Sequence, residues 1–457
     1  MASWSDDELS TLTFGDVRND DRFKMVVSCM SDNPGASIPQ VFNNAADAKA
    51  TYRLLSNEAV KPEAVYDALH ESTAARMSAE ESAMVLVVHD TTSLDYSTHP
   101  ATSGLGPLGG GDGSDGHGLF VHTSMAVTCD GVPLGVLHQQ TWARDPNNVG
   151  TRHFRHDRPI EDKESYRWLV GIELINGTIP NMMSMLHVAD READIFELLW
   201  LPRPEYAHLL IRVRHDRCVV EEAAHLMAAV AAAPQMGVYD VIVRQFPEHK
   251  PRAVRLAVRC APVTIKPPQR SLRHNPALTP VAMTAIWVQE VDAPEGKEPI
   301  EWLLLTDLPV EDFATAREFV HYYTCRWLIE RFHYVLKSGC KLEDSQLRTL
   351  ERLQRLLALY CVIAWRLLWM TYAARERGDQ PATVAFDDSE WRLLYRWAEG
   401  RHAPVGAEPP SLREAVLWLA KLGGFLARKC DGEPGVKVLW RGLTKLQYML
   451  IGAALAT

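Results

Sequence analysis

The pattern of apolar and polar positions changes near residue 83. Ahead of it, DDELSTLTFGDVRNDDRFKMVVSCM and NNAADAKATYRLLSNEAVKPEAVYDALHESTAARM are polar segments with a Pro/Gly break at 34–39. They predict short helices, punctuated at Asn57 and Pro62. From 83 onward the chain carries short, strongly apolar runs that predict strands: AMVLVVH (83–89), LFVHTSMAVTC (119–129), VPLGVLHQQTW (132–142), MSMLHVA (183–189) and HLLIRV (208–213). Asp130-Gly131 is a tight-turn pair, so the second and third form a hairpin. IEDKESYRWLVGIELINGT (160–178) predicts a helix ended by Gly177, and EADIFELLWL (192–201) predicts another. The first and fourth runs each end in an aspartate, Asp90 and Asp190. In open α/β sheets the carboxyl ends of strands are where sites are built.

The following ninety or so residues hold the β-like runs GVYDVIVRQF, AVRLAVRC and AMTAIWVQEV, which predict a β-rich insertion closed by EWLLLTDLPV (301–310). Residues 311–338 and about 346–378 predict long helices. At the end, SLREAVLWLAKLGGFLARK and VKVLWRGLTKLQYMLIGAAL read as amphipathic helices around a DGEPG turn, suited to an interaction element. The glycine-rich segment 104–118 lacks a GxxxxGK[ST] pattern and reads as a connection between strands.

Composition narrows the classes. With 457 residues, two or three domains are expected. The start MASWSDDELSTL has neither a basic nor an apolar leader region, so a cytoplasmic protein is expected. Arg366 in the middle of LLALYCVIAWRLLWMTYAA (356–374) favours a buried helix over a membrane span. Eight scattered cysteines without a CxxC pair suggest reduced thiols rather than a zinc site. Net charge is −10, which by itself argues against a nucleic-acid partner. Residues 203–274 nevertheless carry twelve Lys/Arg against six Asp/Glu, and local basic surface matters more for phosphate contacts than the sum.

The candidate chemistry lies in three acids and one helix. In YYTCRWLIERFHYVLK (322–337), Tyr323, Arg326, Glu330 and Lys337 stand at offsets 0, 3, 7 and 14. On an ideal helix these fall at about 0°, 300°, 340° and 320°, a sector about 60° wide. Asp90 and Asp190 could each cap a turn, and Arg326 and Glu330 could be a surface pair. Together, two strand-end aspartates and a later helical glutamate form a common metal-binding arrangement, because converging carboxylates repel unless a cation neutralises them. All-oxygen ligands favour Mg²⁺ or Mn²⁺. If Glu330 is such a ligand beside a scissile phosphate, Tyr323, Arg326 and Lys337 become phosphate contacts.

Tyr323-x2-Arg326-x3-Glu330-x6-Lys337 resembles the YREK signature of bacterial cut-and-paste insertion-sequence transposases with a DDE site. HDTTSLDYS around Asp90 and VADREADIFELL around Asp190 resemble the motifs of the first two acids, and the resemblance runs through nearly the whole chain. It implies an α/β fold with an RNase H-like core interrupted by a β-rich insertion. The implied domains are an N-terminal helical end-binding domain (1–80), the core's first part (81–213), the insertion (214–301), the core's second part (302–378) and a C-terminal helical dimerisation region (379–457). It implies that Asp90, Asp190 and Glu330 hold two Mg²⁺, with Mn²⁺ able to substitute. Partners would be inverted-repeat DNA ends, target DNA and a second copy of the chain, with no membrane. Trp302 would accept a flipped base, and Tyr323, Arg326 and Lys337 would hold its phosphate while hairpin ends form and open. A non-catalytic end-binding inhibitor and a metal-dependent nuclease without strand transfer are the alternatives. The first sixty residues depart from expectation, with nine acids against five bases.

Overall fold

The computed structural model describes residues 4–42, 44–109, 116–148, 158–179, 183–243, 252–296, 298–400, 406 and 408–455. The insertion's 244–251 and the middle of the glycine-rich segment, 110–115, lie outside the described residues. The described strands are β1 Met84–Asp95, β2 Gly106–Pro107, β3 His117–Thr128, β4 Pro133–Trp142, β5 Ser184–Ala189, β6 Ala207–Arg212, β7 Gln235–Val243, β8 Arg252–Ile265, β9 Val281–Val291 and β10 Glu301–Thr306. The chain forms two compact units. One comprises Met1–Glu81, Thr91–Gly150 and Leu328–Thr457; the other comprises Ser82–Asp90 and Thr151–Trp327.

The first unit is largely helical. Its N-terminal helices are Trp4–Glu8, Val17–Asp32, Ile38–Val41, Ala45–Ser56 and Pro62–Ser78. Asp16 and Asn44 cap two of them through side-chain bonds to Arg18 N and Asp47 N, and Pro62 occupies a first-turn position where its missing N–H costs nothing. β3 and β4 form the expected hairpin, from Phe120↔Trp142 to Val127↔Pro133, with Gly131 at φ +94° in the turn. The helix Leu350–Glu376 is long and apolar enough to span a bilayer, yet it is the core helix of this unit, and most of its side chains are buried. Arg366 is accommodated by the carbonyl of Ala385 (2.8 Å) and the Trp4 ring, 3.9 Å away. Helices Asp388–Glu399, Leu412–Leu422 and Val436–Leu455 complete a core containing Trp391, Leu394, Trp418, Leu419 and Leu439.

Two arginines, buried Arg355 and half-buried Arg377, tie the N-terminal segment to that core helix. Arg355 donates to Leu55 O (3.2 Å), in the last turn of the helix Ala45–Ser56, and to Val60 O (2.8 Å), just past it. Arg377 grips Glu80 through two bonds of 2.8 and 2.7 Å.

The second unit is a mixed sheet in the order β1-β5-β6-β10-β9-β8-β7. β5 runs parallel to both β1 and β6, and from β6 onward every pairing is antiparallel. The β-rich insertion therefore continues the same sheet, with β10 as the link. Helices Tyr166–Thr178 and Phe196–Trp200 cover a core of Trp168, Ile172, Phe196, Leu209, Ile211 and Leu305. This α/β arrangement is that of an RNase H-like core. Gly237 on β7 lies where a Cβ would come within 2.8 Å of the Phe313 ring, so this strand packs closely on the helix Phe313–Cys325.

Several boundaries differ from the sequence expectation. β1 does not end at Asp90 but continues to Asp95, because Thr91, Thr92 and Ser93 are small or β-branched residues that extend readily and remain half-buried. Gly177 lies inside the helix Tyr166–Thr178, which is capped by Ile179 N bonding to Ile175 O; residues 160–162 form a separate 3₁₀ turn. Four of the twelve basic residues of 203–274 are committed to internal partners. Arg217 and Arg252 pair with Asp194 and Glu290, Arg203 sits 3.6 Å from Asp307, and Arg259 donates to Ala233 O.

Arg355→Ala leaves the carbonyls of Leu55 and Val60 buried without their donor, and a loss of about 2–4 kcal/mol is expected. Thermal unfolding should show a drop of several degrees in the transition of the first unit. Burial pushes the Asp32 carboxyl up to about 7, with Glu390 and Asp387 adding repulsion and Arg366 opposing it. The folded state then holds this proton more tightly than the unfolded chain, so the group costs stability increasingly as pH rises from about 4 to 7. Asp32→Asn should therefore unfold at a higher temperature than the wild type at pH 8 and at the same temperature near pH 4.

Candidate active site

The second unit assembles most of the site residues suggested by the sequence. Asp90 lies on β1, and Asp190 follows the last residue of β5. Asp190 also caps a 3₁₀ turn, accepting the Glu192 N–H at 2.8 Å, the turn-capping role its sequence neighbours allow. Burial raises the Asp190 carboxyl, and the charge of Asp90 raises it further. The Glu192 N–H and the guanidinia of Arg326 and Arg167 act in the opposite direction.

Arg326 lies beside this pair: its Nη1 is 3.9 Å from Asp90 Oδ1, with about a tenth of the side chain exposed. It stands at the junction of two helices, Phe313–Cys325 and Trp327–Tyr334. Its N–H bonds to Tyr323 O (3.2 Å), three residues back, instead of continuing the four-residue repeat. After Tyr334 a π-helical turn, Val335–Gly339, carries Lys337. The segment 322–337 is therefore not the single ideal helix that the spacing predicts, and the 60° sector does not describe it. A tight step at Arg326 and a wide turn at 335–339 set the directions of these side chains.

Tyr323 is buried, at 4% exposure, and its ring meets Trp302 edge to face with centroids 5.3 Å apart. Trp302 is on β10, paired to Val288, and is itself half-buried. The Arg326 guanidinium lies 6.0 Å from the rings of both Tyr323 and Trp327, and Trp327 is 58% exposed. Asp90, Asp190, Arg326, Tyr323 and Trp302 thus belong to one connected part of this unit.

Two further residues join it that the sequence reading did not single out. Glu192 is raised by burial and by the charges of Asp190 and Asp90, and Arg167 binds it at 2.6 Å. Their signal was available only in part: Glu192 lies in the DREAD run, but nothing in the sequence places Arg167 beside it.

Glu330 and Lys337 belong to the first unit. Glu330 is half-buried on Trp327–Tyr334. One turn later the buried His333 fixes that helix, its Nε2 lying 3.1 Å from Thr123 Oγ1 on β3. Lys337 Nζ is 3.9 Å from Glu343 Oε1, which also accepts the Asp95 N–H at 2.9 Å. Among the described residues, no three His, Cys, Asp or Glu side chains converge into a complete metal cage. The donor set still suits a hard cation, because Mg²⁺ is commonly held by one or two carboxylates and completes its shell with water and substrate phosphate.

Three family models match the chain. Residues 1–60 match transposase DNA-binding, residues 263–366 match the transposase DDE domain, and residues 362–457 match the transposase Tn5 dimerisation domain. The DDE match spans Trp302, Tyr323, Arg326, Glu330 and Lys337. With a DNA-binding domain ahead of a DDE domain and a Tn5-type dimerisation domain behind it, the chain is a DNA transposase.

Proposed function

We propose that this transposase moves its element by cut-and-paste transposition, with Asp90, Asp190 and Glu330 as the acids of one site holding two Mg²⁺ or Mn²⁺ ions. The observation that carries this reading is the placement of Asp90 and Asp190 two residues beyond the last pair of the parallel strands β1 and β5, with Asp190 close enough to Asp90 for that charge to add to burial in raising its carboxyl. Bound ions would neutralise that charge, activate water or a 3′-OH, and stabilise the leaving oxygen.

The other residues act on DNA directly. Arg326 offers a guanidinium fork to a phosphate, and Lys337 a point charge. Trp302 offers an indole face to a base displaced at a strained end, which offsets part of the cost of unstacking it. Tyr323 supports that indole edge-on and carries the hydroxyl available to the phosphate. On this reading water nicks one strand, the freed 3′-OH attacks the opposite strand to close a hairpin, the hairpin is opened, and the 3′-OH joins target DNA. The partners are the inverted-repeat ends, bound through the N-terminal helices, and a second copy of the chain, engaged through the C-terminal ones.

The test is a linear DNA carrying the inverted repeat that flanks the gene, incubated with protein and Mg²⁺ and resolved on a denaturing gel. A nick followed by a hairpinned end is expected. Asp190→Ala should abolish both while leaving end binding nearly intact; undiminished cleavage in this variant would overturn the assignment. Binding without cleavage in Mg²⁺ and Mn²⁺ alike would favour a non-catalytic derivative, and nicking that never proceeds to joined products would favour a nuclease. Trp302→Ala should nick at the normal rate and accumulate nicked DNA in place of hairpins. Equal loss of both steps would reduce Trp302 to a packing residue.

A further inference from the structure

The two strands that lead to Asp90 and Asp190 share a buried polar chain that the proposed chemistry does not use. His89 and His187 are both fully buried, and His89 Nε2 lies 2.9 Å from His187 Nδ1. His187 Nε2 lies 2.9 Å from Asn176 Oδ1, on the helix Tyr166–Thr178. The two imidazole rings stand 5.2 Å apart, and Trp168 of the same helix lies 6.2 Å from His89.

The donor order follows from the chemistry of a neutral imidazole, which has one N–H and one bare nitrogen. With Asn176 Oδ1 accepting, His187 carries its proton on Nε2. Its bare Nδ1 then accepts from His89 Nε2–H. Burial pushes the His187 imidazole down to about 3, so it stays neutral across the working range. With His187 neutral, each link has a single direction, and the chain crosses from helix to β5 to β1.

Its position is what gives it a role. The β1–β5 pairing runs from Met84↔Ser184 to Val88↔Val188 and goes no further. Asp90 and Asp190 each lie two residues beyond that last pair. His89 is the residue immediately before Asp90, and His187 lies three before Asp190. The imidazole link therefore joins the strands just where their backbone pairing stops. Burying two imidazoles and an amide is costly unless every partner is supplied, and apolar residues would fill this core at less risk.

We propose that Asn176, His187 and His89 are positioning residues: their hydrogen-bond chain locks β1 to β5 at the end of the ladder and so fixes the separation of the Asp90 and Asp190 carboxylates for a divalent cation. This rests on the reading of Asp90 and Asp190 as cation ligands. Loss of such outer support commonly costs 10–100-fold in metal affinity.

The test separates positioning from stability. His89→Leu combined with His187→Val removes the pair and replaces it with apolar groups of comparable bulk, which can be nearly neutral for folding. Three quantities are measured on the full chain: melting temperature, Mn²⁺ binding by electron paramagnetic resonance of the free ion, and the Mn²⁺ concentration for half-maximal nicking. The double variant should melt within a few degrees of wild type yet bind Mn²⁺ about tenfold or more weakly. His187→Gln, which keeps one donor and one acceptor, should recover most of that affinity. Asn176→Leu frees only the outer end of the chain and gives the same readout if the double variant does not fold; it should also weaken Mn²⁺ binding. Wild-type Mn²⁺ affinity in a folded double variant or in Asn176→Leu, with Asp190→Ala still weakened, would overturn the positioning role alone. Unchanged Mn²⁺ binding in Asp190→Ala would overturn the ligand reading, and the positioning role with it.

Discussion

Like charges held on neighbouring strands repel, and much of the second unit can be understood as the containment of that repulsion. Asp90, Asp190 and Glu192 are carried on or just after β1 and β5, and burial strengthens every interaction among them. Two guanidinia moderate it. Arg326 reaches Asp90 from the end of one helix, and Arg167 reaches Glu192 from the start of another. The Asp190 carboxyl is raised all the same, chiefly by burial and further by the charge of Asp90. A protein built for stability alone would place an apolar side chain here, as buried ion pairs seldom outperform well-packed hydrocarbon. Retaining an excess of acid makes physical sense where a cation is to be attracted.

That excess also bears on the overall acidity. The net charge of −10 argues against DNA when taken as a sum. The structure shows why the sum is a poor guide in either direction. Arg203, Arg217, Arg252 and Arg259 in the locally basic segment are committed to internal partners, as are Arg355 and Arg377 among the helices of the first unit. Guanidinium groups in this protein serve as structural cross-links, because one planar fork can satisfy several buried oxygens.

How far the sequence could be read follows from the range of the interactions involved. Strand cores such as Met84–Val88 and Ser184–Ala189 were legible because consecutive apolar residues buried on both faces leave a local signature. Helix starts at Pro62 and after Asn44 were legible for the same reason, as capping is decided within a few residues. The extension of β1 to Asp95 was not, since polar Thr and Ser residues become strand only when a neighbour supplies hydrogen bonds. Tyr96 N–H to His117 O, at 2.8 Å, is such a bond, formed across twenty-one positions of sequence.

The same distinction applies within the candidate site. Residue types and spacing pointed to Asp90, Asp190 and Arg326 by number, but periodicity assumed a regular helix through 322–337. The i−3 bond at Arg326 and the π turn at Val335–Gly339 redirect the side chains of Arg326 and Lys337, and irregularities of this kind are frequent at functional sites. His89 and His187 show the converse case. Each sits beside or near one of the two aspartates, in VVHD and LHVAD, and looks unremarkable in its own stretch. Only the parallel alignment of β1 with β5 turns two unrelated histidines, ninety-eight residues apart, into one hydrogen-bonded unit.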